Sequence, residues 1–96
     1  MAAESKLEAK CREHAKARGC KFYKWVSPGK RGVADRILVS PGGVITFVET
    51  KAPAGGLSPE QARFIRDMAA LGVTVHVIDT LEDFKALVKK ALELQD

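Results

Sequence analysis

Apolar residues recur at helical spacing in the first part of the chain. Leu7, Cys11 and Ala15 line one side of a segment, residues 4 to 18, otherwise rich in Ala, Glu, Lys and Arg, and Gly19 stands where such a helix would stop. Phe22 to Val26 has the aromatic and β-branched content of a short strand. Residues 35 to 51 carry two strand-like runs around Pro41-Gly42-Gly43, the signature of a β-hairpin. Ser58-Pro-Glu-Gln61 has the form of a helix start, with Ser as N-cap, Pro at the first helical position and Gln completing a capping box. That helix is expected to end near Gly72, and Val73 to Ile78 to form a third long β segment. Thr80 then caps an amphipathic helix through Leu81, Phe84, Leu87, Val88, Ala91 and Leu94. The order αβββαβα predicts one α/β domain over residues 1–96, with a mixed central sheet flanked by helices.

The hairpin places chemistry in register. With Gly42 at the centre of the turn, residue i faces residue 84 − i, so Asp35 falls opposite Glu49. Facing positions of an antiparallel pair have Cβ atoms roughly 4.5 to 5.5 Å apart, and two acids there repel unless a cation neutralises them. Because side chains alternate along a strand, Lys51 shares the face of Glu49, while the Thr50 side chain points the other way. Two carboxylates and an amine on one face, in the pattern D-x13-E-x-K, suit Mg²⁺ or Mn²⁺. The amine suits a phosphate or an attacking water.

Composition narrows the partners. The net charge of +4 is uneven, since residues 1–36 hold ten Lys/Arg against four acids and the rest six against eight. A basic half of this kind favours a polyanion such as nucleic acid. Lys30 and Arg31, in the glycine-bearing loop Ser27-Pro-Gly-Lys-Arg-Gly32, could approach a phosphate, as could Lys24 and Arg36. Phe22, Tyr23 and Trp25 either stack on a base or pack in the core. His76, alternating within an apolar strand, is expected to be structural, and His14, on the polar side of the first helix, solvated. Cys11 and Cys20 are too few and too poorly spaced for a disulfide framework or a zinc site. No apolar run approaches a membrane span and no signal-peptide pattern opens the chain, so a cytoplasmic protein is expected.

Three linked stretches, Lys24-Trp-Val-Ser-Pro-Gly-Lys-Arg-Gly-Val-Ala-Asp-Arg36, Phe47-Val-Glu-Thr-Lys-Ala-Pro53 and Leu57-Ser-Pro-Glu-Gln61, resemble the PD-(D/E)XK nuclease superfamily. Within it the chain is most similar to the VRR-NUC domain, the virus-type replication-repair nuclease module. The resemblance implies a restriction-endonuclease-like fold and a Mg²⁺- or Mn²⁺-dependent endonuclease cutting DNA, in particular branched DNA such as four-way junctions or flaps. It implies Asp35 and Glu49 as metal ligands, the Thr50 main-chain carbonyl as a further ligand, and Lys51 as the catalytic lysine. It also implies Gln61 as the motif glutamine and Glu4 as the first-helix acid near the metal, bound directly or through water; Glu8, one turn later, is the alternative. Ala34 stands where the family usually has proline, and Thr50 where it usually has an aliphatic residue. Cutting both strands of a junction would call for a symmetric homodimer, and stand-alone domains of this size suggest a phage or bacterial source. The competing expectation is a non-catalytic nucleic-acid-binding module of the same fold.

Overall fold

The computed structural model describes residues 3–29, 34–51 and 56–94, with side chains of the first helix from Lys6 onward. Its elements are α1 (Ala3–Ala17), β1 (Lys21–Lys24), β2 (Arg36–Ser40), β3 (Val44–Thr50), α2 (Pro59–Ala70), β4 (Val75–Ile78) and α3 (Leu81–Glu93). This is the αβββαβα order expected from the pattern. The strands lie in sheet order β1-β2-β3-β4. The first three are antiparallel neighbours, while β3 and β4 run parallel. Parallel neighbours need a long crossover, and α2 supplies it.

The hairpin register is the expected one: Arg36 pairs with Val48, Leu38 with Thr46 and Ser40 with Val44. The turn fixes it. Gly43 N–H donates to the Ser40 carbonyl at 3.2 Å, and Gly42 takes φ 88°, a conformation that costs glycine little and other residues a steric clash. Pro41 before a glycine of positive φ is the signature of a type II turn.

Two apolar layers cover the two faces of the sheet. On one, α1 and α3 bury Leu7, Cys11, Phe84 and Val88 against Phe22, Leu38, Val48 and Ile78. On the other, α2 packs Phe64, Ile65 and Met68 against Trp25, Phe47 and Val75. Alternation along β3 therefore sends Val48 and Thr50 toward α1, and Phe47, Glu49 and Lys51 toward α2. Of the aromatic trio, Phe22 packs on Phe84 at 4.9 Å and Trp25 on Phe47 at 5.1 Å, so both are core residues, and Tyr23 alone is exposed.

Two strands are shorter than expected. β1 ends at Lys24, and Val26 is exposed. β4 begins at Val75, because the backbone is still closing α2 when Val73 N–H bonds the Met68 carbonyl at 2.9 Å. Among the described residues, no helix is long and apolar enough to cross a membrane.

Candidate active site

The C-terminal end of β3 gathers the polar side chains. Glu49 and Thr50 are both buried, a costly position for an acid unless it is well partnered. Asp35, one residue before β2, lies at the register position facing Glu49. Its carboxylate turns to Thr50, whose main-chain N–H donates to Oδ1 at 3.2 Å and whose hydroxyl stands 3.1 Å from Oδ2. The same hydroxyl is 2.8 Å from Glu8 Oε2. Glu8 Oε1 in turn pairs with Arg36 Nη2 at 2.7 Å, and Arg36 Nη1 donates to the Asp35 carbonyl at 3.1 Å.

This corrects the expectation that the Asp35 carboxylate joins Glu49 and Lys51 on the face opposite the Thr50 side chain. Alternation does carry Thr50 to the α1 face, as expected. But Asp35 precedes the first paired residue of β2, where alternation no longer sets direction, and its carboxylate reaches the Thr50 hydroxyl.

The hydroxyl has one proton and two carboxylate neighbours. It can donate to only one, so the second contact is a hydrogen bond only if an acid carries a proton. Burial pushes the Asp35 carboxyl above the ordinary aspartate value, and the nearby Glu8 charge adds to the rise. The two Thr50 hydrogen bonds and Arg36 oppose it without cancelling it. Replacing Thr50 by valine, which keeps the shape and deletes the hydroxyl, removes a hydrogen bond from one of the two buried acids. It is expected to destabilise the fold by about 1–3 kcal/mol. Chemical denaturation with an unchanged midpoint would show that the hydroxyl holds nothing.

On the α2 face the second half of the site is tied together by Gln61. Its Nε2 donates to Glu49 Oε2 at 2.9 Å, while its Oε1 accepts from Lys51 Nζ at 2.8 Å and from the Ser58 main-chain N–H at 2.8 Å. Ser58 Oγ accepts from Gln61 N–H at 3.1 Å, which completes the capping box. One glutamine thus starts α2 and bridges Glu49 to Lys51, whose Nζ lies 4.0 Å from Glu49 Oε2. The sequence suggests capping or a place at the site as two uses for Gln61; the structure gives it both.

The donors are hard oxygens, as Mg²⁺ and Mn²⁺ prefer. Three acids, Glu8, Asp35 and Glu49, face two cations, Arg36 and Lys51, so the cluster has room for further positive charge. Among the described residues, no three acidic, His or Cys side chains stand close enough to enclose an ion unaided. A site of one or two carboxylates completed by water and phosphate is the usual arrangement for Mg²⁺. The donor chemistry fits such an ion.

Of the remaining expected residues, Lys24 and Arg36 are described in full. Glu4 lies in the first turn of α1, but its side chain is outside the described residues, as are Lys30 and Arg31. Lys24 is exposed at the end of β1, paired in register with Arg36. Arg36 is engaged with Glu8 rather than extended to solvent. Glu8 is readable from the sequence only as the alternative to Glu4. The signal for it lies in its spacing, three and seven residues before Cys11 and Ala15, at the flank of the buried stripe. Cys11 records that closeness: burial, and then Glu8, push its thiol up to about 12.

With this geometry in place, comparison with known proteins gives a consistent answer. The VRR-NUC domain family model matches residues 2–80. A phage protein named "Putative nuclease p44", from Acyrthosiphon pisum secondary endosymbiont phage 1, is 50% identical over 58 residues, which is 60% of this chain and 62% of that protein. The match thus spans less than two thirds of the length of this relative. A solved VRR_NUC domain structure superposes with a TM-score of 0.82 at 26% identity, covering 93% of this chain and 97% of the other. A family match across most of the chain and a shared fold across nearly all of it lead to one conclusion: the chain belongs to the VRR-NUC domain family, a family of nucleases.

Proposed function

We propose that this domain is a metal-dependent endonuclease that hydrolyses phosphodiester bonds in DNA, selecting branched forms such as four-way junctions or flaps. The observation that carries this reading is the chain of contacts Asp35-Thr50-Glu8 and Glu49-Gln61-Lys51, which meets at the end of β3. Asp35, Glu49 and the Thr50 main-chain carbonyl would hold Mg²⁺ or Mn²⁺, with Glu4, directly or through water, or Glu8, through water, completing the site. Such an ion, when bound, makes water a stronger nucleophile and offsets charge on the phosphate oxygens.

The chain's own groups do the positioning. Lys51 presents an ammonium beside Glu49, where it can orient the attacking water or stabilise charge building on the phosphate. Gln61 fixes both ends of that pair through its two amide atoms. Thr50 and Arg36 hold Asp35 and Glu8 in place.

Gln61→Glu separates the two roles of this residue. Glutamate still caps α2 from the third helical position, but it cannot donate to Glu49 and adds a like charge beside it. Cleavage is expected to fall about 10–100-fold, as for other residues that orient ligands, while the circular dichroism spectrum is unchanged. Full activity in this variant would remove Gln61 from the mechanism. Gln61→Ala should also lose about 1 kcal/mol of helix capping.

The preference for branched DNA is supported by membership of the VRR-NUC domain family. Cutting both strands of a junction calls for two sites related by symmetry, hence a homodimer. The phage relative is in keeping with a phage or bacterial source and action in the host cytoplasm. The test is cleavage of a labelled four-way junction and flap beside a linear duplex of matching sequence. Faster cutting of the branched forms is the expected result; equal rates would remove the shape preference. Light scattering with and without DNA tests the dimer.

A further inference from the structure

Away from the β3 site, α1 and α3 form the walls of a cavity of about 510 Å³. His14 and Arg18 line it from the α1 side, and Lys85 and Lys89 from α3. Lys85 and Lys89 are like charges spaced i, i+4 on one stripe of α3, an arrangement that costs stability in a helix, and Arg18 follows directly on the end of α1, four residues after His14. Among the described residues, Arg18, Lys85 and Lys89 make no ion pair. Glu93 lines the same cavity without pairing to any of them. Val88 and Leu92 give the cavity an apolar floor, and the His14 ring stands edge-on to Phe84 at 6.2 Å.

The sequence suggests a solvated His14, but α3 packs beside it and leaves it half-buried. Its imidazolium is disfavoured first by burial and then by Arg18 and Lys85, in keeping with the place of all three around one cavity. A groove with an apolar floor and an unneutralised cationic rim is complementary to a ligand with a flat body and negative charges. The volume lies in the range of nucleotide-sized ligand sites. A duplex offers only its phosphates to such a groove, whereas an unpaired strand can also lay a base on the floor.

We propose that the groove between α1 and α3 is a docking site for an unpaired strand of DNA, its bases against Val88, Leu92 and the His14 ring and its phosphates on Arg18, Lys85 and Lys89. The proposal rests on the reading of the domain as a DNA nuclease and adds a second contact to it. His14 and Arg18 lie six and ten residues beyond Glu8, roughly 9 and 15 Å along α1 at ~1.5 Å per residue. A strand held in the groove would therefore leave the catalytic cluster within a few nucleotides' reach. Strands freed at the mouth of a flap or at an opened junction are the natural occupants.

The test is fluorescence anisotropy of a labelled oligothymidylate and of a duplex, in EDTA so that nothing is cut, over a series of salt concentrations. Wild type is compared with Arg18→Ala/Lys85→Ala/Lys89→Ala and with a charge-matched control on exposed positions outside the groove, Arg12→Ala/Lys16→Ala/Lys21→Ala. The groove variant is expected to bind the oligothymidylate at least tenfold more weakly, with a salt slope shallower by about two, as loss of three phosphate contacts implies for single strands. Its duplex affinity should fall less, and the control should stay near wild type.

Equal losses in the groove variant and the control, or equal losses for duplex and single strand, would overturn the assignment. Cleavage of the junction by the same wild-type protein, in Mg²⁺ or Mn²⁺, is the separate readout for the nuclease reading. Wild type that cuts DNA while the groove variant binds unchanged refutes the groove alone; wild type that neither binds nor cuts DNA refutes both.

Discussion

Asp35→Asn is expected to raise the melting temperature of the metal-free protein while removing most of its cleavage. The stability gain follows from the proton count at Thr50. In the wild type, the hydroxyl faces Asp35 Oδ2 and Glu8 Oε2 and can donate to only one of them. Asparagine supplies the missing hydrogen: its amide can donate to the hydroxyl oxygen while the hydroxyl donates to Glu8, and its carbonyl still accepts from Thr50 N–H.

Removing a buried charge beside another acid at a functional site commonly adds about 1 kcal/mol, or roughly 4–8 °C for a domain of this size. The wild type should show the matching pH dependence. Its Asp35 carboxyl is raised above the unfolded value. The folded state is therefore penalised at pH above the folded pKa, and it regains stability as pH falls from there toward the ordinary aspartate range. The variant should lack that gain.

Activity moves the other way, because the neutral amide contributes no charge to an ion worth several kcal/mol to the reaction. At about 1.4 kcal/mol per factor of ten, cutting should drop by about 10³-fold. Melting in EDTA and single-turnover cleavage measure the two halves. A variant that melts lower than wild type would contradict the proton count at Thr50.

Lys51→Ala carries the second large effect. The amine is held by Gln61 at 2.8 Å, beside a Glu49 carboxylate whose side chain is only 4% exposed. Loss of one preorganised charged group at a reacting centre costs about 10²–10³ in rate, and DNA binding in EDTA should change little. Lys51→Arg distinguishes the two roles open to the amine. Arginine keeps the charge but cannot give up its proton, so partial recovery points to charge stabilisation and none to proton transfer. Cleavage by Lys51→Ala at the wild-type rate would exclude the residue from the chemistry.

The fold was legible where the local code is strong. Pro41-Gly42-Gly43 set the hairpin register, and with it the facing positions of Asp35 and Glu49. Ser58-Pro-Glu-Gln61 set the start of α2, and Thr80 that of α3. Less was legible where a neighbour from elsewhere in the chain decides. Glu4 and Glu8 lie on the same side of a helical wheel, and only the position of Thr50 and Arg36 beneath α1 identifies Glu8 as an acid in contact with the cluster.

Arg36 reads as an arm for DNA because its charge is visible in the sequence and its partner is not. The Thr50 hydroxyl is set aside by an alternation rule that stops where β2 begins. His14 reads as solvated because α3, which covers it, lies about seventy residues away. In each case the missing information is a tertiary contact across the sheet edge or between helices, which no periodicity within one element encodes.

The acids at the end of β3 are proposed to serve a metal-dependent nuclease. The most direct test of that role is cleavage of a labelled four-way junction by wild type and by Asp35→Asn, each in Mg²⁺, Mn²⁺ or EDTA, with both proteins shown to be folded by circular dichroism. The expected result is cutting by wild type in at least one of the metals, none in EDTA, and about 10³-fold less by the folded Asp35→Asn protein in either metal. Cutting that persists in EDTA, or an Asp35→Asn protein as active as wild type, would contradict that role.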